Sequence, residues 1–334
     1  MTLMRDEALQ APQAVARFLD QNGTALTDLG RRLRAAPPPA ILTNARGSSD
    51  HAATYFKYLA EILLGLPVAS VGASVVSVYG AQLHVPGGLC LTISQSGQSP
   101  DILALQAAAR AGGALAVALI NAPDTPAARD SDLCLPLMAG PELSVAATKS
   151  QIVSMVAGAA VVAHWAGDAA LLAAIARLPD TLARAGAQDW SALPRHLEQA
   201  ASVYVLGRGP SLAIAAETAL KLKETCGIHA EPHSLAEVMH GPLEIVRDGF
   251  GVLAFVPPDA AAPASAQAIV RLRAAGAQVV VAGEGGLPFA ATGHPLLDPV
   301  SMMLSAYLAI DTLARLRGRD PDRPAHLAKV TRTV

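Results

Sequence analysis

Along most of this chain, apolar runs of strand length alternate with longer segments of helical period. Strand-length runs lie near residues 40–44, 68–71, 89–93, 115–120 and 132–137, and again near 202–207, 228–231, 251–256 and 278–282. Helical segments fall between them, near 50–64, 99–111 and 145–165 in the first half and near 211–226, 264–274 and 300–316 in the second. That alternation is the signature of parallel sheets wrapped by helices. A helix over about 5–33 opens the chain and is expected to pack across both halves. The stretch 178–194 carries Pro179, Pro194, Trp190 and mixed polarity, and is read as the domain boundary. The expected organisation is a helical segment over 1–34, a first α/β domain over 35–177 and a second over 195–334.

Composition narrows the class. A chain of 334 residues is long for one ordinary domain and comfortable for two. It is 52% hydrophobic and 16% charged, which excludes a disordered chain. Only 4% is aromatic, and the apolar residues are mostly Ala, Leu and Val, which argues against a β-sandwich. Net charge is −2, so no basic field points to nucleic acid or an anionic membrane. The longest apolar stretch, 152–163, contains Ser154 and stops at His164, short of the ~20 residues a spanning helix needs. A buried helix is expected there. Asp6 and Glu7 stand where a secretion signal would need basic and apolar residues, so a cytoplasmic protein is expected. Cys90, Cys134 and Cys226 are widely spaced in apolar surroundings and read as buried thiols rather than a disulfide framework or a zinc site.

Internal similarity adds a constraint. In TNARGSS and VLGRGPS, Arg46, Gly47 and Ser49 map on Arg208, Gly209 and Ser211, a displacement of 162 residues. ARAGGALAV at 109–117 aligns with LRAAGAQVV at 272–280, a displacement of 163. Two matches at nearly one displacement, in the same strand–loop–helix context, indicate two copies of one fold.

The copies differ in their chemistry. After its third strand the first reads Ser94-Gln95-Ser96-Gly97-Gln98-Ser99, where the second has Pro257-Pro258-Asp259. Hydroxyls, amides and a glycine at a strand's carboxyl end, opening a helix near Pro100, suit a phosphate. A serine-rich helix cap is the plainer alternative. Ser49 after a neighbouring strand and Thr148-Lys149 entering another helix favour the phosphate. The spacing is not a P-loop, so no nucleotide is implied. In the second copy Glu217, Lys221 and Glu224 stand at i, i+4 and i+7, on one helix face, with Lys223 pointing elsewhere. They fit either a solvated salt-bridge stripe or a proton-shuttling pair in a cleft. His229, Glu231 and His233 alternate along a strand, but Pro232 interrupts them and no further ligand completes a metal set. His240, ahead of Gly241-Pro242, sits on a turn, with Glu237 as the expected orienting partner. His51, His84, His164, His196 and His294 have no such context.

These motifs carry a resemblance. ARGSSDHA, ISQSGQSPD, ELSVAATKS, LGRGPSLAIAAETALKLKETCGIHAE, EVMHGPL and HLAKVTRTV occur in the order found in the isomerase half of glutamine–fructose-6-phosphate aminotransferase. From about residue 40 onward, the chain resembles this pair of sugar isomerase (SIS) domains. The resemblance implies two tandem α/β domains, each a parallel sheet in a three-layer αβα, flavodoxin-like arrangement. It implies that Ser49, Ser94, Gln95, Ser96 and Ser99 bind the sugar phosphate, with Gly47, Ala146 and Glu217 in the substrate site. Glu224 falls on the family's base that moves a proton between C1 and C2, and Lys221 on its helix-mate. His240 falls on the histidine that assists ring opening and reaches into the neighbouring subunit's site, which implies a homodimer. Lys329 falls on the lysine that contacts the open-chain carbonyl and can form a Schiff base.

Departures from the family are also legible. The loop has Gln98-Ser99-Pro100 where the synthase typically has Glu-Thr-Ala, and Ala147 replaces a serine. Fewer than 40 residues precede the first strand, and residue 2 is Thr rather than a nucleophilic cysteine, so no glutaminase domain is expected. The resemblance then implies a stand-alone glucosamine-6-phosphate deaminase, releasing fructose 6-phosphate and ammonia without metal, nucleotide or redox cofactor. A deglycase acting on a fructosamine 6-phosphate is the near alternative. A phosphosugar sensor without turnover is the distant one, and it has no need of Glu224, His240 and Lys329 together.

Overall fold

A computed structural model describes residues 1–122 and 124–329. The strand-length runs form two separate parallel sheets. The first contains β1 (Ile41–Asn44), β2 (Val68–Ser70), β3 (Leu89–Ser94), β4 (Leu115–Ile120) and β5 (Leu133–Pro136), in the order β2-β1-β3-β4-β5. That is the flavodoxin-like order, in which ligands bind beyond the carboxyl ends of the strands. The second contains β6 (Ser202–Gly207), β7 (His229–Ser234), β8 (Gly251–Val256) and β9 (Gln278–Gly283), in the order β7-β6-β8-β9. This repeats the first four strands of sheet one, as two copies of one fold require.

The central strands are buried along nearly their whole length, β1 and β3 on every residue, because helices cover both faces of a parallel sheet. In the first unit, the helix Ser48–Leu64 packs on the helix Lys149–Ala166, and a Cβ on Gly158 would lie 3.2 Å from Phe56 Cβ. Lys149–Ala166 is buried on nearly every residue, so the long apolar stretch is a core helix. No helix among the described residues is long and apolar enough to cross a membrane. Cys90 and Cys226 are buried free thiols, each pushed up to about 11 chiefly by burial, so neither is a thiolate near neutrality.

Several boundaries depart from expectation. The opening helix is two helices, Leu3–Leu9 and Ala11–Ala35. Pro12 has no N–H to continue a helix from upstream but is tolerated in a first turn, so the helix restarts there. The stretch 178–194, read as the domain boundary, is itself helical: the helices Leu178–Ala185 and Ala192–Leu197 bury Leu178, Leu182, Leu193 and Leu197, and Trp190 is buried between them. Pro179 and Pro194 sit in first turns, where they start helices instead of breaking them. The helix expected from 145 begins at Lys149, because the Glu142 carboxylate takes the Ser150 N–H and fixes the start.

The chain divides into two compact units. One comprises Gln13–Glu142, Lys149–Ala176 and, of the described residues, Ala328 and Lys329; the other comprises Met1–Pro12, Leu143–Thr148 and Arg177–Leu327. The opening segment is therefore shared between the units instead of standing apart. Lys329 groups with the first sheet, not with the second domain where the sequence placed it, and Ala146 groups with the second sheet.

Candidate active site

In the first unit the serine-rich loop leaves β3 at its carboxyl end. Gly97 has φ +61, and a Cβ there would stand 2.4 Å from Thr125 Oγ1 and 3.0 Å from Ile120 Cγ2. Only glycine allows both the conformation and the approach. The loop is braced from within: Gly97 N–H donates to Ser94 Oγ at 3.0 Å. Backbone bonds from Asn121 and Ala122 to the carbonyls of Ser94 and Gln95 tie it to the neighbouring loop. Ser94 is buried, while Gln95, Ser96 and Ser99 are half-buried. Ser99 is the N-cap residue of the helix Pro100–Ala111 but makes no side-chain capping bond. The helix's first N–H groups carry the positive pole of its dipole at the loop's end.

Ser49 lies in the first turn of Ser48–Leu64, behind Gly47 at φ +55. The two loops are joined by Arg46, whose Nε and Nη2 donate to Asp101 Oδ2 at 2.8 and 2.7 Å. Asp101, buried in the first turn of Pro100–Ala111, would otherwise leave an uncompensated negative charge beside a site proposed for an anion. Arg46 neutralises it. Asp50, in the neighbouring helix's first turn, is pushed above the usual carboxylate range, chiefly by burial and against the pull of His51 and Arg46.

In the second unit the helix Ser211–Lys221 runs into a π-helical turn, Leu222–Cys226. Such turns are rare and concentrate at functional sites. Thr225 Oγ donates to the Lys221 carbonyl at 2.8 Å, and Gly227 closes the turn at φ +63, where a Cβ would collide with the Arg319 guanidinium. The turn sets Glu224 beside Lys221, whose Nζ donates to Glu224 Oε2 and lies 3.5 Å from Glu217 Oε1. Tyr307 OH donates to Glu217 Oε1 at 2.9 Å. Lys221 and Glu217 are buried, whereas the Glu224 side chain is 21% exposed and Lys223 points to solvent. One ammonium thus sits between two carboxylates, and only the outer carboxylate is reachable. A reachable carboxylate held at a buried ammonium can take up a proton and return it.

His240 ends the 3-10 turn Glu237–His240 and is exposed. Glu237 is exposed too and makes no hydrogen bond with His240 among the described residues, so it is not the orienting partner. The turn is held instead by Tyr204 OH, which donates to the Pro242 carbonyl at 2.9 Å. β7 runs through Pro232 because it is an edge strand, where a missing N–H is tolerated. On it His233 Nε2 lies 3.4 Å from Glu231 Oε1. Among the described residues no group of three or more His, Cys, Asp or Glu is disposed to hold a metal.

A family model described as "SIS domain" matches residues 36–164 and 196–282, together more than half of the chain. The chain belongs to the SIS domain family. It is 30% identical to a glutamine–fructose-6-phosphate aminotransferase of Zymomonas mobilis over 98% of its own length, but spans only 58% of that relative. A structure from Silicibacter pomeroyi DSS-3, assigned as a phosphosugar isomerase, is 46% identical with a TM-score of 0.92, covering 96% of this chain and 100% of that one. The glucosamine-6-phosphate deaminase of Thermotoga maritima, 20% identical with a TM-score of 0.72, covers 96% of this chain and 100% of its own; the likeness is one of fold alone.

Three site elements escaped the sequence reading of this SIS chain. Arg46 was read only as part of a repeat, and its partner Asp101 only as a position after the loop. Tyr307 lies in an apolar helix, 90 residues from Glu217, with no local signal. Glu142 did carry one: it is the only acidic residue between Asp132 and Asp168.

Proposed function

We propose that this SIS protein is a phosphosugar enzyme that deaminates an aminosugar phosphate, converting glucosamine 6-phosphate and water to fructose 6-phosphate and ammonia. The observation that carries the reading is the Lys221 ammonium buried between Glu217 and Glu224, with Glu224 alone reachable. In this reading Ser49, Ser94, Gln95, Ser96 and Ser99 anchor the phosphate, and Gly47 lets the backbone approach it. His240, exposed on its turn, opens the sugar ring in the partner subunit of a homodimer. Glu224 takes the C2 proton of the open-chain aldose and returns it to C1 through an enolamine. The resulting C2 ketimine adds water, breaks its C–N bond and releases ammonia, leaving the ketose. Lys329 meets the open-chain carbonyl, and Ala146 lines the substrate. Binding energy from the unreactive phosphate orients the chain against one carboxylate. The Gln98-Ser99-Pro100 loop and Ala147, both departures from the synthase pattern, support a substrate other than the synthase's own.

The test is ammonia release from 6-phosphorylated aminosugars at equal concentrations, with unphosphorylated glucosamine as control. Release from glucosamine 6-phosphate that depends on the phosphate supports the assignment. Amine release from a fructosamine 6-phosphate, with none from glucosamine 6-phosphate, reassigns the chain as a deglycase.

A further inference from the structure

Arg46 is held from both ends within the first unit. Its carbonyl accepts the Ser49 N–H at 3.1 Å, in the first turn of the helix Ser48–Leu64, and its guanidinium is bound to Asp101, in the first turn of Pro100–Ala111. Nε and Nη2 both donate to Asp101 Oδ2, at 2.8 and 2.7 Å, while Asp101 Oδ1 accepts the Ile102 N–H at 2.8 Å. The aspartate side chain is 1% exposed and the arginine side chain 51%. Asp50 feels the same charge but makes no ion pair with it among the described residues. A guanidinium carries five N–H donors, and no hydrogen bond engages Nη1 among the described residues. One edge of the fork is thus locked onto a buried carboxylate, and the other is open at the surface between two helix N-termini.

The residues read as holding the phosphate, Ser49, Ser94, Gln95, Ser96 and Ser99, are all uncharged. A phosphate monoester carries about −1.5 to −2 charges at pH 7, and a helix N-terminus answers it with only about half a charge. Arg46 is a full cation fixed by the two helices at which Ser49 and Ser99 stand. From this geometry we infer that Arg46 is a phosphate-binding residue, its open edge donating to the sugar phosphate while Asp101 fixes the plane of the fork. Arginine suits the place, because its planar donors meet one oxyanion along one edge and a second along another. Asp101 is then a positioning residue: the bond that neutralises its buried charge also orients the guanidinium. The inference rests on the reading of the serine loop as the phosphate site, and not on the deamination that follows.

The experiment is calorimetric titration of the intact protein with glucitol 6-phosphate, which carries the phosphate but has neither carbonyl nor amine to react, with glucitol as the control. The wild-type chain should bind the ester and not glucitol. Arg46→Met should weaken binding of the ester by about 10–150-fold, as expected for one bond to a charged group. That variant leaves Asp101 buried without its cation, so the deciding protein is the double variant Arg46→Met with Asp101→Asn, in which neither charge of the pair remains. Its affinity should stay about 10–150-fold below wild type, because the donor to the phosphate is still missing. Recovery in the double variant to within about threefold of wild type would show that Arg46 serves only to neutralise Asp101, and overturns the inference. Glucitol bound as tightly as its phosphate overturns it too, together with the phosphate site. Binding that depends on Arg46, without ammonia release from aminosugar phosphates, would sink the proposed reaction and leave this contact standing.

Discussion

Replacing Lys221 by Met tests whether the buried charges at the end of Ser211–Lys221 depend on one another. Methionine keeps the length and the apolar stem but removes the ammonium. Glu217, with a side chain 0% exposed, then keeps the Tyr307 hydroxyl but loses the cation 3.5 Å away. Breaking a buried pair by deleting one partner costs about 3–5 kcal/mol, because a charge is left uncompensated. For a folding unit of this size, each kcal/mol lowers the melting temperature by about 2–4 °C, so a fall of about 6–20 °C is expected. The double variant Lys221→Met with Glu217→Gln removes both charges and leaves an amide that still accepts from Tyr307. It should recover more than half of the loss, giving a coupling of several kcal/mol in a double-mutant cycle. Calorimetry of the four proteins is the assay. A loss under about 1 kcal/mol in the single variant, or additivity within about 0.5 kcal/mol, would refute the reasoning.

Glu224→Gln keeps size and hydrogen bonding but cannot accept a proton, so kcat should fall by about 10²–10⁴-fold with substrate affinity retained; activity within about threefold of wild type would remove Glu224 from the chemistry. Ser96→Ala should raise KM by about 10–150-fold at unchanged stability, the worth of one bond to a charged group, whereas Ser94→Ala should also lose about 1 kcal/mol of stability because Gly97 N–H loses its acceptor. Inactive His240→Ala and Glu224→Gln chains, co-expressed, should regain activity at about a quarter of all sites if His240 serves the partner subunit of a symmetric dimer; no recovery in confirmed mixed dimers would return His240 to its own subunit or exclude it. Burial, followed by the Arg34 guanidinium, holds His164 below the ordinary imidazole range, so the unfolded chain binds the proton first. Stability should therefore fall as pH drops below about 6.5, and the melting temperature of His164→Asn should vary less between pH 7.5 and 5.

The periodic pattern located the nine strands among the described residues and the main helices of both sheets, most clearly the central strands, because a buried parallel strand must read as a short apolar run whatever its neighbours. The repeat around Arg46 and Arg208 announced two copies of one fold, and the two sheets share their first four strand positions. The serine loop after β3 and the Glu217, Lys221, Glu224 spacing were legible for the same reason: each lies within one loop or one helix, where distance in sequence fixes distance in space.

What escaped depended on pairings that local spacing does not encode. Pro179 and Pro194 marked a boundary in the sequence but sit in the first turns of helices, which is decided by which side chains around them find a core. The π turn at Leu222–Cys226 widens the helix by a residue, and nothing in LKETC marks it; packing of Gly227 against Arg319 and of Cys226 against Ile310 accompanies it. His240 was paired with Glu237 by proximity in sequence, yet both face solvent, and a tyrosine from β6 holds the turn. Glu142 finds Lys329, and Tyr307 finds Glu217, only after the chain has folded, because burying a charge compels it to meet a distant partner that the sequence does not name.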